Sequence, residues 1–208
     1  MANVLLQPHC YTPEEYLALE RDAEFKSEYF EGGIFVMQGA SDPHTIIGIN
    51  IAGEFYLQLK GSSCVARSSD IKIRTPDRGM FSYADLTVVC GQARFHDGTK
   101  DVLINPKVLV EILSPSSEAF DRGKKFAKYK LLESFTDYIL IAQDEPQIDY
   151  FIKQPSGDWL QKSVSGMEAE ISIASVDCTL RLSDVYSNVT FPPKLEIRDA
   201  NETQEQSQ

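Results

Sequence analysis

The sequence predicts an α/β (α+β) fold, in which helices flank a mixed β-sheet and an antiparallel meander follows toward the C-terminus. An apolar run at 108–113 has the composition of a strand that is buried on both faces. Helix-start signals that contain proline precede and separate the first strand-like segments. Beyond residue 138, short apolar segments alternate with turn residues, which is typical of antiparallel strands joined by tight turns.

Length and composition indicate one globular domain. The 208 residues are 42% hydrophobic, which is enough to form a sizeable core. We predict a short lead-in at 1–10 and a single domain at 11–191. The segment 192–208 is charged and glutamine-rich and lacks core-forming residues, so we predict that it is a disordered tail.

Two capping patterns predict helices in the N-terminal third. Thr12-Pro13-Glu14-Glu15 combines a capping box with proline in the first turn, and the helix that it starts should end near Arg21. A second helix is predicted to start at Asp42-Pro43, to present a wide apolar face and to end at Gly61.

Strand patterns account for most of the remaining chain. A hairpin is predicted around Glu31-Gly32-Gly33, between strands at 28–30 and 34–37. After the central strand, a helix capped by Ser116 or Ser117 should run to about Glu133. The other predicted strands are 64–68, 70–74, 84–90, 138–142, 148–153, 159–164, 171–174 and 179–182, and a short final helix is predicted to begin near residue 183.

The charge balance restricts the classes of partner. A formal net charge of −11 argues against broad, non-specific affinity for nucleic acid, which needs a positive field. A nucleic-acid partner would therefore depend on a local patch. The segment 107–130 is such a patch, because it holds six Lys or Arg residues against three acids.

Cysteine and histidine usage predicts neither a disulfide framework nor a zinc site. The four cysteines are scattered without a CxxC pair, which favours reduced and mostly buried thiols. The three histidines form no metal-binding pattern. An apolar run of the roughly 20 residues that span a bilayer is absent from the sequence, and so is a signal-peptide pattern, so we predict a cytoplasmic protein without a membrane partner.

One acid interrupts the most apolar strand. Glu111 lies inside the run 108–113, where an uncompensated carboxylate would cost several kcal/mol. Asp85 stands at the start of another apolar strand, 26 residues earlier, and this separation suits neighbouring strands. Two converging carboxylates can bind a hard divalent cation such as Mg²⁺. Alternatively, Asp85 caps a turn and Glu111 pairs with a helix lysine.

The helix after the central strand repeats polar residues at intervals of four. Asp121, Lys125 and Tyr129 share one face, from which Lys125 could reach Glu111 or a bound phosphate. The alternative is an Asp–Lys pair on a solvated surface, which adds about 0.3–0.5 kcal/mol. From spacing alone this surface pair is favoured.

Three further side chains are weaker candidates. Glu28 could add a third acid from the hairpin, although an exposed glutamate at a strand edge is the favoured interpretation. Asp70 could line the same cleft or stabilise a turn. His44, at a helix start, is predicted to cap or pack rather than to catalyse. The motifs GxGxxG, GxxxxGK[ST] and GxSxG are absent, which removes the usual dinucleotide, P-loop and serine-hydrolase interpretations.

Several motifs in fixed order resemble a known family. Glu-Ile-Leu-Ser-Pro-Ser, followed by Asp, Lys and Tyr at these offsets, is the most specific of them. The chain is similar to the Uma-two family of restriction-endonuclease-like proteins, in the PD-(D/E)xK nuclease superfamily, over about 11–190. The matching stretches are Thr12–Leu17, Glu28–Gly32, Tyr83–Leu86, Val110–Ser116 and Asp121–Tyr129.

The resemblance implies a restriction-endonuclease-like domain with a divalent-metal site. It implies that Asp85, Glu111 and the backbone carbonyl of Ile112 hold the metal. It gives Lys125 the role of the motif lysine, because the usual position holds Leu113, and it matches Glu28 to an accessory acid. Ala84 replaces the usual proline without removing a ligand.

The resulting hypothesis is a Mg²⁺- or Mn²⁺-dependent endonuclease that hydrolyses DNA phosphodiester bonds. Asp85 and Glu111 would hold the metal and Lys125 would stabilise the phosphate, with Asp121 and Tyr129 as accessory residues. The alternative is a non-catalytic binding or homodimerisation module that retains the fold, which the acidic net charge favours. A lysine face directed away from the two acids would support the module.

Overall fold

Helices and strands alternate along the chain largely as the turn signals predict. The computed structural model describes residues 10–76 and 79–193. The predicted lead-in and tail fall almost entirely outside these ranges. Within them the helices are α1 (Pro13–Asp22), α2 (Asp42–Leu59), α3 (Glu118–Phe120), α4 (Phe126–Tyr129) and α5 (Leu182–Val185). The strands are β1 (Ser27–Phe30), β2 (Gly33–Val36), β3 (Cys64–Ser68), β4 (Lys72–Arg74), β5 (Phe81–Tyr83), β6 (Leu86–Cys90), β7 (Val102–Leu103), β8 (Val108–Leu113), β9 (Asp137–Ala142), β10 (Gln147–Lys153), β11 (Trp159–Ser165), β12 (Glu170–Ile173) and β13 (Cys178–Arg181).

Local residue chemistry explains the ends of the first elements. The capping box of α1 is formed, with the Thr12 hydroxyl accepting from the Glu15 N–H and the Glu15 carboxylate accepting from the Thr12 N–H. Gly32 has φ +88° in the β1–β2 turn, and Gly61 has φ +83° after α2. Both are conformations that a side chain would strain, so glycine is required where the chain reverses.

The central layer is a mixed six-stranded sheet, which confirms the predicted fold class. Its strand order is β11-β10-β9-β8-β6-β3, and β8 pairs in parallel with β9 but antiparallel with β6. A second sheet has the order β2-β1-β5-β4-β7, and β12 and β13 form a separate C-terminal hairpin. The sequence did not predict the second sheet because β5 and β7 are only three and two residues long.

Strand β8 is buried on both faces, as predicted, and its two faces meet different partners. On one face Val110 and Ile112 pack in a cluster with Ile47 and Phe55 of α2. On the other face Leu109 and Leu113 pack with Phe126, Tyr129 and Tyr138. Because side chains alternate along a strand, Glu111 shares the second face and points toward the helix that follows β8.

That helix differs from the prediction in length and regularity. It ends at Tyr129 rather than near Glu133, and a π-helical turn at Asp121–Lys125 separates α3 from α4. Ser117 occupies the cap position, but its side chain makes no capping hydrogen bond. The predicted cap position is therefore confirmed, but the side-chain bond is not made: Ser114 instead accepts from the N–H groups of Ser117 and Glu118.

The prediction of four reduced thiols is wrong for two of them. Cys64 and Cys90 form a disulfide between β3 and β6. The strands pair antiparallel with these residues directly opposite, and this register brings the two side chains together. Cys10 and Cys178 are free thiols, exposed and buried respectively.

Across 10–76 and 79–193, no helix combines the length and apolar character that crossing a membrane requires.

Candidate active site

Strands β6 and β8 bring Asp85 and Glu111 to the same place. Leu86 of β6 pairs with Val110 of β8 in antiparallel register. Continuing this register by one residue places Asp85 opposite Glu111. The separation of 26 residues that suggested neighbouring strands thus corresponds to a direct strand pair, with the carboxylates at the point where β6 begins.

Each oxygen of the Asp85 carboxylate has one hydrogen-bonding partner. Its Oδ2 accepts a hydrogen bond from the Ile112 N–H at 2.7 Å, and its Oδ1 lies 3.0 Å from Nε2 of His44. The Asp85 side chain remains 21% exposed. Asp85 therefore anchors the open end of β8 while part of its carboxylate faces solvent. The predicted alternative of a simple turn cap does not describe these contacts.

Glu111 is almost fully enclosed. The residue is 4% exposed, and its Oε1 accepts from Lys125 Nζ at 2.9 Å and from the Tyr129 hydroxyl at 3.0 Å. Burial raises the pKa of Glu111 well above its ordinary range, Lys125 opposes this rise, and the carboxylates of Asp121 and Asp85 add to it. The ionised form of Glu111 thus depends on nearby positive charge.

Lys125 lies among three carboxylates. Besides Glu111, its Nζ lies 3.2 Å from Glu28 Oε1 and 3.5 Å from Asp121 Oδ1, and it donates to the Tyr83 carbonyl at 3.1 Å. Burial by itself would lower the pKa of Lys125, but the carboxylates of Glu111 and Glu28 raise it well above its ordinary range. Lys125 is therefore a buried lysine whose surroundings favour its charged form.

The helix face that carries Asp121, Lys125 and Tyr129 points inward. All three side chains are buried, with exposures of 3%, 4% and 0%. The alternative of a solvated Asp–Lys pair is therefore wrong. The helical segment holding Asp121 and Lys125 is the π-helical turn, and such turns occur frequently at functional sites.

Tyr129 connects the helix to a second strand. Its hydroxyl lies 3.0 Å from Ser82 Oγ and donates to Glu111. Burial raises the pKa of Tyr129 well above its ordinary range, and the Glu111 carboxylate adds to this rise. Tyr129 is thus a neutral donor that fixes the orientation of Glu111.

Glu28 lies at the edge of the acid cluster, so the favoured interpretation of an exposed strand-edge glutamate is wrong. Its Oε1 accepts from the Tyr83 N–H at 3.0 Å and also contacts Lys125. Glu28 is half-buried rather than fully exposed. It therefore joins the sheet that contains β1 and β5 to the cluster around β8.

Asp70 lies apart from this cluster. Its side chain is 72% exposed, it forms an ion pair with Lys26, and it accepts from Ser68 Oγ at 3.2 Å. Hydrogen bonding and charge from Lys26 lower its pKa. The turn interpretation of Asp70 accounts for these contacts, and the interpretation as a cleft residue does not.

His44 is the residue that sequence reasoning missed. It was predicted to cap or pack, but it lies 3.0 Å from Asp85, 41 residues away in sequence. Its position in the first turn of α2 was visible in the sequence. The contact with Asp85 was not, because it depends on how α2 packs against the six-stranded sheet.

The electrostatics of the cluster suit a hard cation. Among the described residues, the carboxylates of Glu28, Glu111 and Asp121 contact one buried lysine, and the Asp85 carboxylate adds negative charge near Glu111. Carboxylate oxygens are the ligands that Mg²⁺ and Mn²⁺ prefer. Within the described ranges no three His, Cys, Asp or Glu side chains form a ready-made metal cage. A cation held here would therefore take its remaining ligands from backbone, water or substrate oxygens.

A cleft of about 380 Å³ adjoins the acid cluster. Glu28 is one of its lining residues, and its walls are mainly aromatic and aliphatic side chains from β1, β2 and α3. Lys124 lies on its rim. The site thus combines a buried carboxylate cluster with an adjacent apolar opening.

Fold comparison defines the class of protein. The chain superposes on the crystal structure of a "putative nuclease belonging to DUF820" from Anabaena variabilis with a TM-score of 0.70. The two share 20% identity over 85% of this chain and 98% of that one. At this identity the match shows that the two proteins share one α+β fold.

The chain belongs to the Uma2 family, whose description is "Putative restriction endonuclease" and whose model matches residues 13–183. It is 32% identical to the uncharacterized protein slr1290 of Synechocystis sp. over 86% of this chain and 93% of that protein. It is also 28% identical to the uncharacterized protein sll1609 of the same organism, over 78% of this chain and 92% of that protein. The resemblance inferred from the motifs is thereby confirmed at the level of the family.

Proposed function

We propose that this protein is a Mg²⁺- or Mn²⁺-dependent endonuclease that hydrolyses DNA phosphodiester bonds. The observation that carries the proposal is the meeting of Asp85 and Glu111 within a cluster that has more carboxylates than cations. Bringing these charges out of water costs free energy that a divalent cation would offset. Membership of a family described as restriction endonucleases makes DNA the natural substrate.

Asp85, Glu111 and the Ile112 carbonyl are the proposed metal ligands. The N–H and C=O of one strand residue point toward the same neighbouring strand. The Ile112 N–H points to Asp85, so its carbonyl is expected to face the same side. At Ile112, β8 extends past Leu86, the first residue of β6, so the ladder of backbone hydrogen bonds between the two strands has already ended there.

The chemistry divides between the cation and the residues that surround it. When bound, Mg²⁺ or Mn²⁺ would lower the pKa of a coordinated water and place positive charge beside the phosphate. Lys125 opposes the rise in the pKa of Glu111 that burial causes, and it offers its ammonium group to the charge that develops on the phosphate. Tyr129 orients Glu111, Asp121 lies 3.5 Å from Lys125 and adds to the negative charge around it, and His44 fixes Asp85.

The lysines of the helix after β8 do not all point the same way, and it is Lys125 alone that favours this proposal over a non-catalytic module. Lys125 points into the acid cluster, whereas Lys124 and Lys130 are exposed. The net charge of −11 remains the main argument for the module. A homodimer and a cytoplasmic location stay predictions. Exposed apolar side chains on α2, among them Ile49 and Tyr56, offer one surface where self-association can be tested.

A nuclease assay tests the proposal. Purified protein is incubated with single-stranded, duplex and branched DNA in Mg²⁺, Mn²⁺ or EDTA. We expect metal-dependent cleavage that falls at least about 100-fold in Asp85→Asn and in Glu111→Gln, because each removes a charged ligand. Asp70→Asn is the matched control, since this acid lies outside the cluster. Cleavage that persists in both site variants would show that another site is responsible.

A further inference from the structure

The cleft beside the acid cluster is lined by aromatic rings. It lies between the β1–β2 hairpin and the start of the helix after β8, and its walls include Phe30, Phe35, Met80 and Phe120. Its volume of about 380 Å³ falls within the range of roughly 300–1,000 Å³ typical of small-ligand sites. The cleft is therefore large enough to enclose one planar ring system.

Two of the rings form a corner. Phe30 and Phe120 have centroids 5.4 Å apart and planes at 87°, and both side chains are only partly buried. A planar group that enters the corner can stack on one ring and meet the edge of the other, which is the favoured geometry for aromatic pairs. Nucleobases stack on such rings with little dependence on sequence.

Positive charge surrounds the same ring. Lys124 Nζ lies 5.8 Å from the Phe30 centroid, and Lys128 Nζ lies 5.7 Å from it. Lys128 also lies 3.8 Å from Glu31. On a protein with net charge −11, a pair of lysines beside an aromatic cleft is a local attraction for phosphate.

Glu28 links the cleft to the acid cluster. It lines the cleft, and its Oε1 is 3.2 Å from Lys125, which in turn contacts Glu111 at 2.9 Å. A base held against Phe30 and Phe120 would therefore place its own phosphodiester near Glu28, at the edge of the acid cluster. Duplex DNA could not do this without unstacking, because both faces of its bases are covered.

We propose that this cleft binds an unpaired nucleobase, so that the substrate is DNA that is single-stranded or locally unpaired. The proposal rests on the proposed nuclease function for the chemistry, but base binding is measurable without cleavage. A nucleotide is the ligand that matches both the aromatic corner and the lysines beside it, because it has a planar base and a charged phosphate. An apolar peptide side chain would gain from the rings but not from Lys124 and Lys128.

The test uses a single-stranded oligonucleotide that carries one 2-aminopurine. Ca²⁺ replaces Mg²⁺, and a gel confirms that the strand stays intact. Stacking in the cleft should quench the 2-aminopurine fluorescence of the bound strand. Phe120→Leu, which keeps apolar volume but loses the ring, should weaken binding about 5- to 100-fold. Phe25→Leu is the matched control, because Phe25 is 59% exposed and does not line the cleft.

Two further measurements complete the test. Lys124→Ala should weaken binding to all sequences and reduce the slope of log affinity against log salt by about one. The same oligonucleotide annealed into a duplex should show little quenching. Thermal unfolding of Phe120→Leu checks that the variant is folded. Equal affinity of wild type and folded Phe120→Leu, or equal quenching in single strand and duplex, would overturn the proposal.

These readouts separate the cleft from the catalytic proposal. If base binding behaves as expected but no metal supports cleavage, the nuclease function fails and the base site stands. If DNA is cleaved, but folded Phe120→Leu keeps the same preference between single-stranded and duplex DNA as wild type, the base site fails and the nuclease stands.

Discussion

Replacing Lys125 by methionine should destabilise the protein much more than neutralising the acid that it pairs with. In Lys125→Met, Glu111 loses the cation at 2.9 Å and stays buried beside Asp121, Asp85 and Glu28. Removing one member of a buried ion pair so that the other is left uncompensated costs about 3–5 kcal/mol. We expect a loss in this range in the free energy of unfolding.

Replacing the acid instead of the lysine, as in Glu111→Gln, leaves fewer buried groups without partners. In Glu111→Gln, Lys125 keeps Glu28 at 3.2 Å, Asp121 at 3.5 Å and the Tyr83 carbonyl at 3.1 Å. The glutamine oxygen can still accept from Tyr129, and the repulsion between Glu111 and the other acids is removed. The expected cost is about 1 kcal/mol, near that of one hydrogen bond.

Urea denaturation at pH 8 with EDTA measures both variants. The deficit of Lys125→Met should also depend on pH, because burial raises the pKa of Glu111 above its ordinary value of 4.5. A carboxyl with a raised folded-state pKa favours the fold at low pH, and this contribution is lost as the pH rises through that pKa. The deficit should therefore shrink toward pH 5. Equal losses in Lys125→Met and Glu111→Gln would refute the proposed electrostatics.

Three other predictions concern the rest of the molecule. Tyr129→Phe removes the hydroxyl that contacts Glu111 and Ser82, and should cost about 1–2 kcal/mol in urea denaturation. Arg21→Gln should cost about 0.5–1 kcal/mol in the free energy of unfolding near pH 7. Hydrogen bonds from Arg21 lower the pKa of Asp101 below its ordinary 3.8, so this loss should shrink as acid protonates the Asp101 carboxylate. A loss at pH 2 as large as that at pH 7 would contradict this reasoning. Thiol titration in denaturant without reductant should find two free thiols rather than four, because Cys64 and Cys90 form a disulfide.

The central strand was predictable from its apolar run, and its acid was predictable because a charged residue is rarely buried without a partner. A charged residue inside a six-residue apolar run has to be compensated, and this alone identified Glu111. The spacing of four between Asp121, Lys125 and Tyr129 gave their common face. It could not decide whether that face is solvated, because burial depends on which side of the helix meets β8.

Contacts between distant elements could not be predicted in the same way. His44 and Asp85 meet only because α2 packs across the six-stranded sheet, and no local pattern encodes that packing. The pairing of Cys64 with Cys90 depends on the register of β3 and β6. Metal and thiol motifs within a few residues are visible in a sequence, whereas partners brought together by register are not.

Metal binding measured by calorimetry tests the central claim most directly. Mn²⁺ is titrated into the wild type, Asp85→Asn, Glu111→Gln and the control Asp70→Asn at pH 7.5. If Asp85 and Glu111 hold the cation, wild type and Asp70→Asn should bind Mn²⁺ alike, and each site variant should bind at least about tenfold more weakly. Unchanged Mn²⁺ affinity in both site variants would contradict the assignment of the metal site.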